Sequence, residues 1–357
     1  MKALFVNPGG IGDQILLLPT VKLFKEKFSN YQIDLLTEPR SAVIKDLTQL
    51  YNNIKVFDFK EKNPNVLKLK ELLNKGNYKY LISTGASYKA NLVGALSNAE
   101  IKIGFYKGIF TPLFLNHYVK PNRNTYTSNM LADLITPIIP ETKLLIQSKV
   151  LVPEIKLSHT SIEWARETLT PRLKERYFAK KIFIHPGVSK LSIKKKIFKS
   201  WASKNWASLI ERLLENEENT VILLGGKDDE ETIAEIYKKL THFAMPKNFI
   251  DFSSLNLSIE KLSALISSSD LLVCVDSAPM HIAVALGKKL VAFFGPTDPE
   301  KLLPKDQRFL AVHVDNLSCR PCLFEKRKQS CNTPECLNVS VDSMLNAIKS
   351  QLELKRS

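Results

Sequence analysis

The sequence predicts an α/β protein built from two Rossmann-like, doubly wound domains, and three observations point there. A chain of 357 residues is longer than one hydrophobic core usually organises, so two domains of roughly 150–200 residues each are expected. Short apolar runs alternate with segments of helical period, the pattern of a parallel sheet crossed by helices. The alternation is interrupted around 138–157, where periodicity weakens and Pro137, Pro140 and Pro153 gather, as an interdomain connection would read.

In the first half, Lys2 to Asn7 reads as a buried strand. The turn Pro8-Gly9-Gly10-Ile11-Gly12 follows, and Asp13 opens a helix running to about Phe28. Gln32 to Leu36, Ile54 to Phe57 and Tyr80 to Ser83 are further short strands, separated by helical stretches at Val66 to Leu73 and Lys89 to Leu96. The second half repeats the scheme. Its strands are Ile182 to His185, Thr220 to Leu224, Leu271 to Val275 and Leu290 to Phe294, and its helices Ala202 to Glu215, Asp229 to Lys239, Ile259 to Ile266 and Pro279 to Leu286. The domains are set at 1–150 and 158–338. Within 339–357 a last amphipathic helix, Val341 to Leu352, is expected to pack back across both halves.

Composition excludes several classes. With 44% hydrophobic and 24% charged residues, the chain is neither disordered nor fibrous. The start, MKALFVNPGG, suits a first strand better than a signal peptide, and the longest apolar runs fall far short of the ~20 residues that span a bilayer. A net charge of +15 favours anionic partners: acidic substrates, nucleic acid or lipid surfaces. No RNA- or DNA-binding motif accompanies that charge, so a nucleic-acid partner is not expected.

Five cysteines without an export signal fit a reducing compartment. Four of them, Cys319-x2-Cys322-x8-Cys331-x4-Cys336, have a spacing that suits a tetrahedral structural zinc or iron site, or else four reduced thiols on a surface loop in 319–336. Cys274 lies in an apolar strand and reads as a core residue.

Four segments carry chemistry. In Gly9-Gly10-Ile11-Gly12-Asp13 the glycines allow close backbone approach to a ligand, and the next helix aims its N–H groups at it. No third glycine completes the dinucleotide fingerprint, so NAD is not supported. Asp13 reads either as a helix N-cap or as a general base at a sheet's carboxyl edge. In Asp276-Ser277-Ala278-Pro279-Met280-His281 a strand runs into a helix start with Pro279 in the first turn. That is a place for a diphosphate, with Ser277 adding a hydroxyl, or an ordinary capped helix with His281 packed inside. Phe183 to Lys190, with Lys199-Ser200-Trp201 behind it, gathers hydroxyls and ammonium groups able to neutralise a departing diphosphate. Gly225-Gly226-Lys227-Asp228-Asp229-Glu230 sets carboxylates at a strand's end, where an acid could accept ribose hydroxyls.

Taken together, GGIGD at 9–13, IGF at 103–105, HPG at 185–187, K-x-W at 199–201, GG-x-DDE at 225–230 and DSAPMHIA at 276–283 resemble glycosyltransferase family 9, the bacterial lipopolysaccharide heptosyltransferases. The resemblance spans nearly the whole chain. It implies the GT-B fold, in which the two domains face a central cleft, the N-terminal one binding acceptor and the C-terminal one nucleotide sugar. It further implies that Asp13 is the catalytic base, that Ser189 and Lys199 contact the donor diphosphate with Asp276, Ser277, Ala278, Met280 and His281, and that Asp229 or Glu230, beside Gly225, holds the ribose. Ala278 stands where the family usually has glycine, and the stretch Leu191 to Phe198 leaves Lys190 or Lys196 able to take the Lys199 role. Lys89 and Lys107 are placed near the acceptor.

The implied reaction is inverting transfer of a heptose from an ADP-heptose-like donor to a lipopolysaccharide core sugar, with no metal cofactor in catalysis. The enzyme would act from the cytoplasm, peripherally on the inner membrane, on an anionic glycolipid. The competing readings are a nucleotide-sugar 2-epimerase, a heptosyltransferase with a protein acceptor, and a non-catalytic sugar-nucleotide or nucleic-acid binding protein.

Overall fold

The computed structural model describes residues 1–85, 93–195, 197–240, 246–323, 331 and 334–354. The chain divides into two compact units, Met1–Lys156 and Leu157–Ser357.

The first unit is a six-stranded sheet of β1 (Lys2–Asn7), β2 (Gln32–Thr37), β3 (Asn53–Val56), β4 (Tyr80–Ser83), β5 (Ile101–Phe105) and β6 (His117–Val119), in the order β3-β2-β1-β4-β5-β6. Every pairing is parallel. Parallel strands covered on both faces must be apolar throughout, and Ala3, Leu4, Phe5 and Val6 of β1 are all buried. Helices α1 (Ile11–Lys27), α2 (Val66–Asn74), α3 (Thr127–Asp133) and α4 (Thr142–Ser148) belong to this unit. α1 packs on α3, where the Ser128 hydroxyl donates to the Leu16 carbonyl at 2.8 Å.

The second unit has the same topology. Strands β7 (Lys180–His185), β8 (Asn219–Leu223), β9 (Phe249–Asp251), β10 (Leu271–Val275), β11 (Leu290–Phe293) and β12 (Phe309–Val312) follow the order β12-β11-β10-β7-β8-β9, again all parallel. Its helices are α5 (His159–Leu173), α6 (Lys190–Lys194), α7 (Ser203–Leu214), α8 (Glu230–Lys239), α9 (Ile259–Ser267), α10 (Ala278–Ala285), α11 (Pro299–Leu302) and α12 (Val341–Glu353). In both sheets the strand order reverses beside the first strand, between β1 and β4 and between β7 and β10. Ligands of such sheets bind outside the carboxyl ends at that reversal.

Three expectations change. The stretch read as a linker contains α4, because Asn129 organises it: its side-chain amide donates to the carbonyls of Ile146 and Lys149, and its carbonyl accepts the Leu151 N–H. The division falls at Lys156/Leu157, and Ser158 and Ser161 bond Glu260 of α9, tying the start of α5 into the second unit. The terminal helix α12 packs within the second unit, on α7 and β10–β12. Its Met344, Leu345 and Ile348 enter the core that holds Trp201 and Trp206, and the Trp201 indole N–H donates to Val339 O at 2.9 Å. No helix among the described residues is long and apolar enough to cross a membrane.

Candidate functional site

The glycine loop after β1 is built around Asp13. The helix begins at Ile11 with Gly10 as its N-cap, so Asp13 is the third helical residue and not the cap. Its carboxylate reaches back to accept the Gly10 N–H at 2.7 Å, the return half of a capping box. Gly9 must be glycine, since a Cβ there would come within 2.4 Å of the Asp13 Cβ. Asn7 braces the loop by accepting the Gly9 N–H and donating to Asp13 O, while Ser41 donates to Gly9 O at 2.8 Å. The buried Gln14 amide donates to Asn7 O and Thr37 Oγ1. Asp13 itself is exposed, and the Arg40 guanidinium lies beside Gly10. A loop locked this way presents a solvent-facing carboxylate at the strand-order reversal. No sequence motif singles out the supporting roles of Asn7, Gln14, Arg40 and Ser41. Gly12 falls inside the first turn of α1.

Lys107 sits in the loop after β5, with its backbone N–H on Thr111 Oγ1. Lys89 lies outside the described residues, as does Lys196.

In the second unit Asp276 follows β10 at the corresponding reversal. It is 5% exposed and accepts from Lys199 Nζ at 2.6 Å and from Thr297 Oγ1 at 2.8 Å. Burial alone would raise its pKa, but the Lys199 charge and hydrogen bond, the nearby His281 and the Thr297 hydroxyl outweigh it and hold the carboxyl below the usual range. Asp276 thereby fixes the Lys199 ammonium at the start of α10. Only one of the three ammonium N–H groups is spent on Asp276. Thr297 was not signalled by any local pattern.

Other members of this segment divide. Ser277 is the N-cap residue of α10 in extended conformation, with its hydroxyl turned back to Val275 O. Ala278 opens the helix and is partly exposed. Met280 is fully buried and its N–H donates to Ser277 O, so its side chain serves the core. His281 is buried against Asp276.

The β7 and β8 loops are joined. Ser189 caps the short α6 by accepting the Ser192 N–H, and the Lys190 N–H donates to Asp228 Oδ2 at 3.1 Å. The Lys190 side chain is exposed, with its ammonium 4.0 Å from Asp228 Oδ1, while the Lys199 ammonium is held by Asp276. Asp229 is buried, accepts the Gly226 N–H at 2.9 Å and lies 3.5 Å from His185 Nε2. Burial raises the Asp229 pKa and lowers that of His185, in each case against the pull of its partner. Gly187 faces the same carboxylate, and a Cβ there would fall 1.6 Å from Oδ1. Asp229 is therefore the pin between the two loops. Glu230, exposed in the first turn of α8, remains open for the role of ribose acid, beside Gly225, which packs on Ile233.

Of the quartet, Cys336 is buried, Cys322 partly so, and Cys319 and Cys331 are exposed. Burial, then the neighbouring thiols Cys322, Cys319 and Cys331, push the Cys336 pKa up to about 11. The thiols are thus near one another, yet no group of three His, Cys, Asp or Glu is arranged to hold a metal ion among the described residues. The loop does support the donor side. The N–H groups of Cys322 and Leu323 donate to Pro296 O, and the Arg320 guanidinium donates to Gly295 O and Thr297 O.

A cavity of about 670 Å³ lies elsewhere, at the opposite edge of the second sheet, lined by Lys181, Ser269, Asp270, Lys289 and Arg308 among others. Its cations are engaged: Lys181 with Asp270, Arg308 with Asp306, and Lys289 with carbonyls ending α12.

The pattern of glycosyltransferase family 9 (heptosyltransferase) matches residues 66–332. The chain belongs to that family. Among relatives, this family 9 glycosyltransferase is 25% identical to lipopolysaccharide heptosyltransferase 3 of Escherichia coli K12, over 88% of each chain. Among solved structures, it resembles E. coli ADP-heptose lipopolysaccharide heptosyltransferase II with a TM-score of 0.74 and 18% identity, over 99% of this chain and 98% of that one. It also resembles TibC, an iron-containing dodecameric glycosyltransferase of enterotoxigenic E. coli H10407, with a TM-score of 0.55 and 13% identity, over 98% of this chain and 75% of that one. The family makes the protein a glycosyltransferase and removes the epimerase and non-catalytic readings.

Proposed function

We propose that this glycosyltransferase moves a heptose from an ADP-heptose-like donor to a sugar of the lipopolysaccharide core, with inversion at the anomeric carbon. The observation that carries the reading is the Lys199–Asp276–Thr297 cluster at the N-terminus of α10. There a fixed ammonium and the positive end of the α10 dipole share one anion site at the strand-order reversal. Such preorganised charge stabilises a diphosphate as it departs. Ser189, Ser277 and Ala278 line the approach, and Glu230 accepts from the ribose. His281 acts from behind, through Asp276.

On the acceptor side, Asp13 takes the proton of the attacking sugar hydroxyl. That oxygen bonds to the anomeric carbon, the bond to the diphosphate oxygen breaks, and the nucleoside diphosphate leaves with the electron pair. Asp13 Oδ2 is occupied by Gly10, so Oδ1 is the accepting oxygen. The acceptor belongs to a membrane glycolipid, which places the enzyme in the cytoplasm at the inner face of the inner membrane. The protein-acceptor alternative is separated by supplying each acceptor in turn.

Transfer from ADP-heptose to heptose-deficient lipopolysaccharide tests the proposal. Asp13→Asn, an exposed isosteric change, is expected to lower kcat by about 10²–10⁴-fold with folding intact. Full transfer by that variant would overturn the assignment of the base. A structural zinc or iron at the cysteine quartet is a separate proposal, supported by the CxxC spacing and the mutual proximity of the thiols; elemental analysis of the purified protein decides it.

A further inference from the structure

The loop after β5 is wound tightly, yet it turns its apolar side chains outward. The Lys107 N–H donates to Thr111 Oγ1, the Thr111 N–H to Gly108 O, and the N–H groups of Phe114 and Leu115 to Thr111 O. Gly108 has φ +119°, a conformation that glycine adopts at little cost. Thr111 and Leu115 are buried and anchor the loop, Leu115 against Gly94 and Gly104. Around that anchor Ile109 is 78% exposed, Phe110 54% and Leu113 74%, flanked by the paired rings of Tyr106 and Tyr118. A fixed loop that keeps three large apolar side chains in water marks an interaction surface.

The charge around it specifies the partner. From 101 to 132 the chain carries Lys102, Lys107, Lys120 and Arg123 and no Asp or Glu, and Lys120 and Arg123 are exposed. Apolar tips on a stretch whose charged side chains are all cations match an anionic bilayer, where side chains enter the headgroup boundary and lysines meet lipid phosphates.

Position adds a third observation. The loop leaves the carboxyl end of β5, the edge on which the Gly9–Asp13 loop leaves β1, two strands and about 10 Å away. Val66 and Leu67, exposed at the start of α2 beyond β3, lie on the same edge.

We propose that the 106–118 loop is the surface by which this transferase seats on an anionic lipid bilayer, with Ile109, Phe110 and Leu113 inserted. The inference rests on the membrane-acceptor reading above and names the surface that reading requires. Seated so, the base-bearing edge of the first sheet faces the bilayer that holds the acceptor.

Co-sedimentation of the full chain with phosphatidylglycerol-rich and pure phosphatidylcholine vesicles tests it. The triple variant Ile109→Glu, Phe110→Glu, Leu113→Glu changes only exposed positions and is checked for folding by its thermal transition. It is expected to bind anionic vesicles roughly 100-fold more weakly than wild type, and Lys120→Gln roughly fivefold more weakly. The emission of a Phe110→Trp variant should shift to the blue on adding anionic vesicles. Equal vesicle binding by wild type and triple variant would overturn the proposal, as would sedimentation of the Phe110→Trp variant with no such shift. A shift that depends on protein concentration without vesicles would assign the patch to a second copy instead. Transfer to a delipidated core oligosaccharide should be unchanged in the triple variant. Should wild type transfer to neither acceptor form, the functional reading fails, while vesicle binding still decides this one.

Discussion

Asp276 is the carboxylate that holds Lys199 and Thr297 together at the start of α10. Its buried carboxylate is tolerable only because Lys199 and Thr297 are there, so Asp276→Asn should destabilise the second unit by about 1.5–3 kcal/mol, the worth of a hydrogen bond to a charged group, because the partly buried Lys199 ammonium loses its carboxylate. Its pH signature follows in sign. The folded pKa lies below the usual 3.8, so the stabilisation is complete above that value and is lost as pH falls through the lower folded one. Acid titration of stability should therefore lose part of its lowest limb in the variant. His185 behaves oppositely in charge: burial lowers its pKa from 6.5, so the unfolded chain binds its proton first and stability declines as pH drops below about 6.5. His185→Phe should flatten that decline. Asp13 and Asp276 stand out in the sequence because each sits in a local strand-to-helix motif, whereas Lys199, between α6 and α7, stands out only through the family's K-x-W pattern. Thr297, Arg320 and the His185–Asp229 pairing could not, since only the sheet brings residues 21 to 44 positions apart onto one edge.

At the level of elements, helix α12 carries more than its place at the chain's end implies. Met344 is completely buried in the core with Trp201 and Trp206, so Met344→Ala should cost about 2–5 kcal/mol, read from denaturant unfolding. Between the β7 and β8 loops, Gly187→Ala drives a methyl into Asp229 and should displace both, weakening nucleotide binding in direct titration while the first unit is unaffected. The strong strands β1, β7, β10 and β11 were legible because each is a continuous apolar run. β6 and β9 were not, being three residues long, and α5 was missed because Pro171 and repeated threonines blur its period. The fold class survived these omissions because the alternation of strand and helix, not any single element, specifies it.

For the molecule as a whole, two sheets with the same strand order, each with its own buried helices, predict two thermal transitions. ADP at about 100 times its Kd should raise only the one belonging to the second unit, by about 2.7 kcal/mol. Fragments 1–156 and 157–357 should each reproduce one transition. The same division orders events during synthesis. The first sheet is complete when Val119 has emerged, and its unit closes by Lys156, so it can fold while the ribosome is still working. The second unit cannot close in this way. Met344, Leu345 and Ile348 are part of its core, and they are made long after its first strand, β7. A chain released before them therefore has its first sheet complete and its second core open, so an incomplete translation product exposes the apolar surface around Trp201 and Trp206.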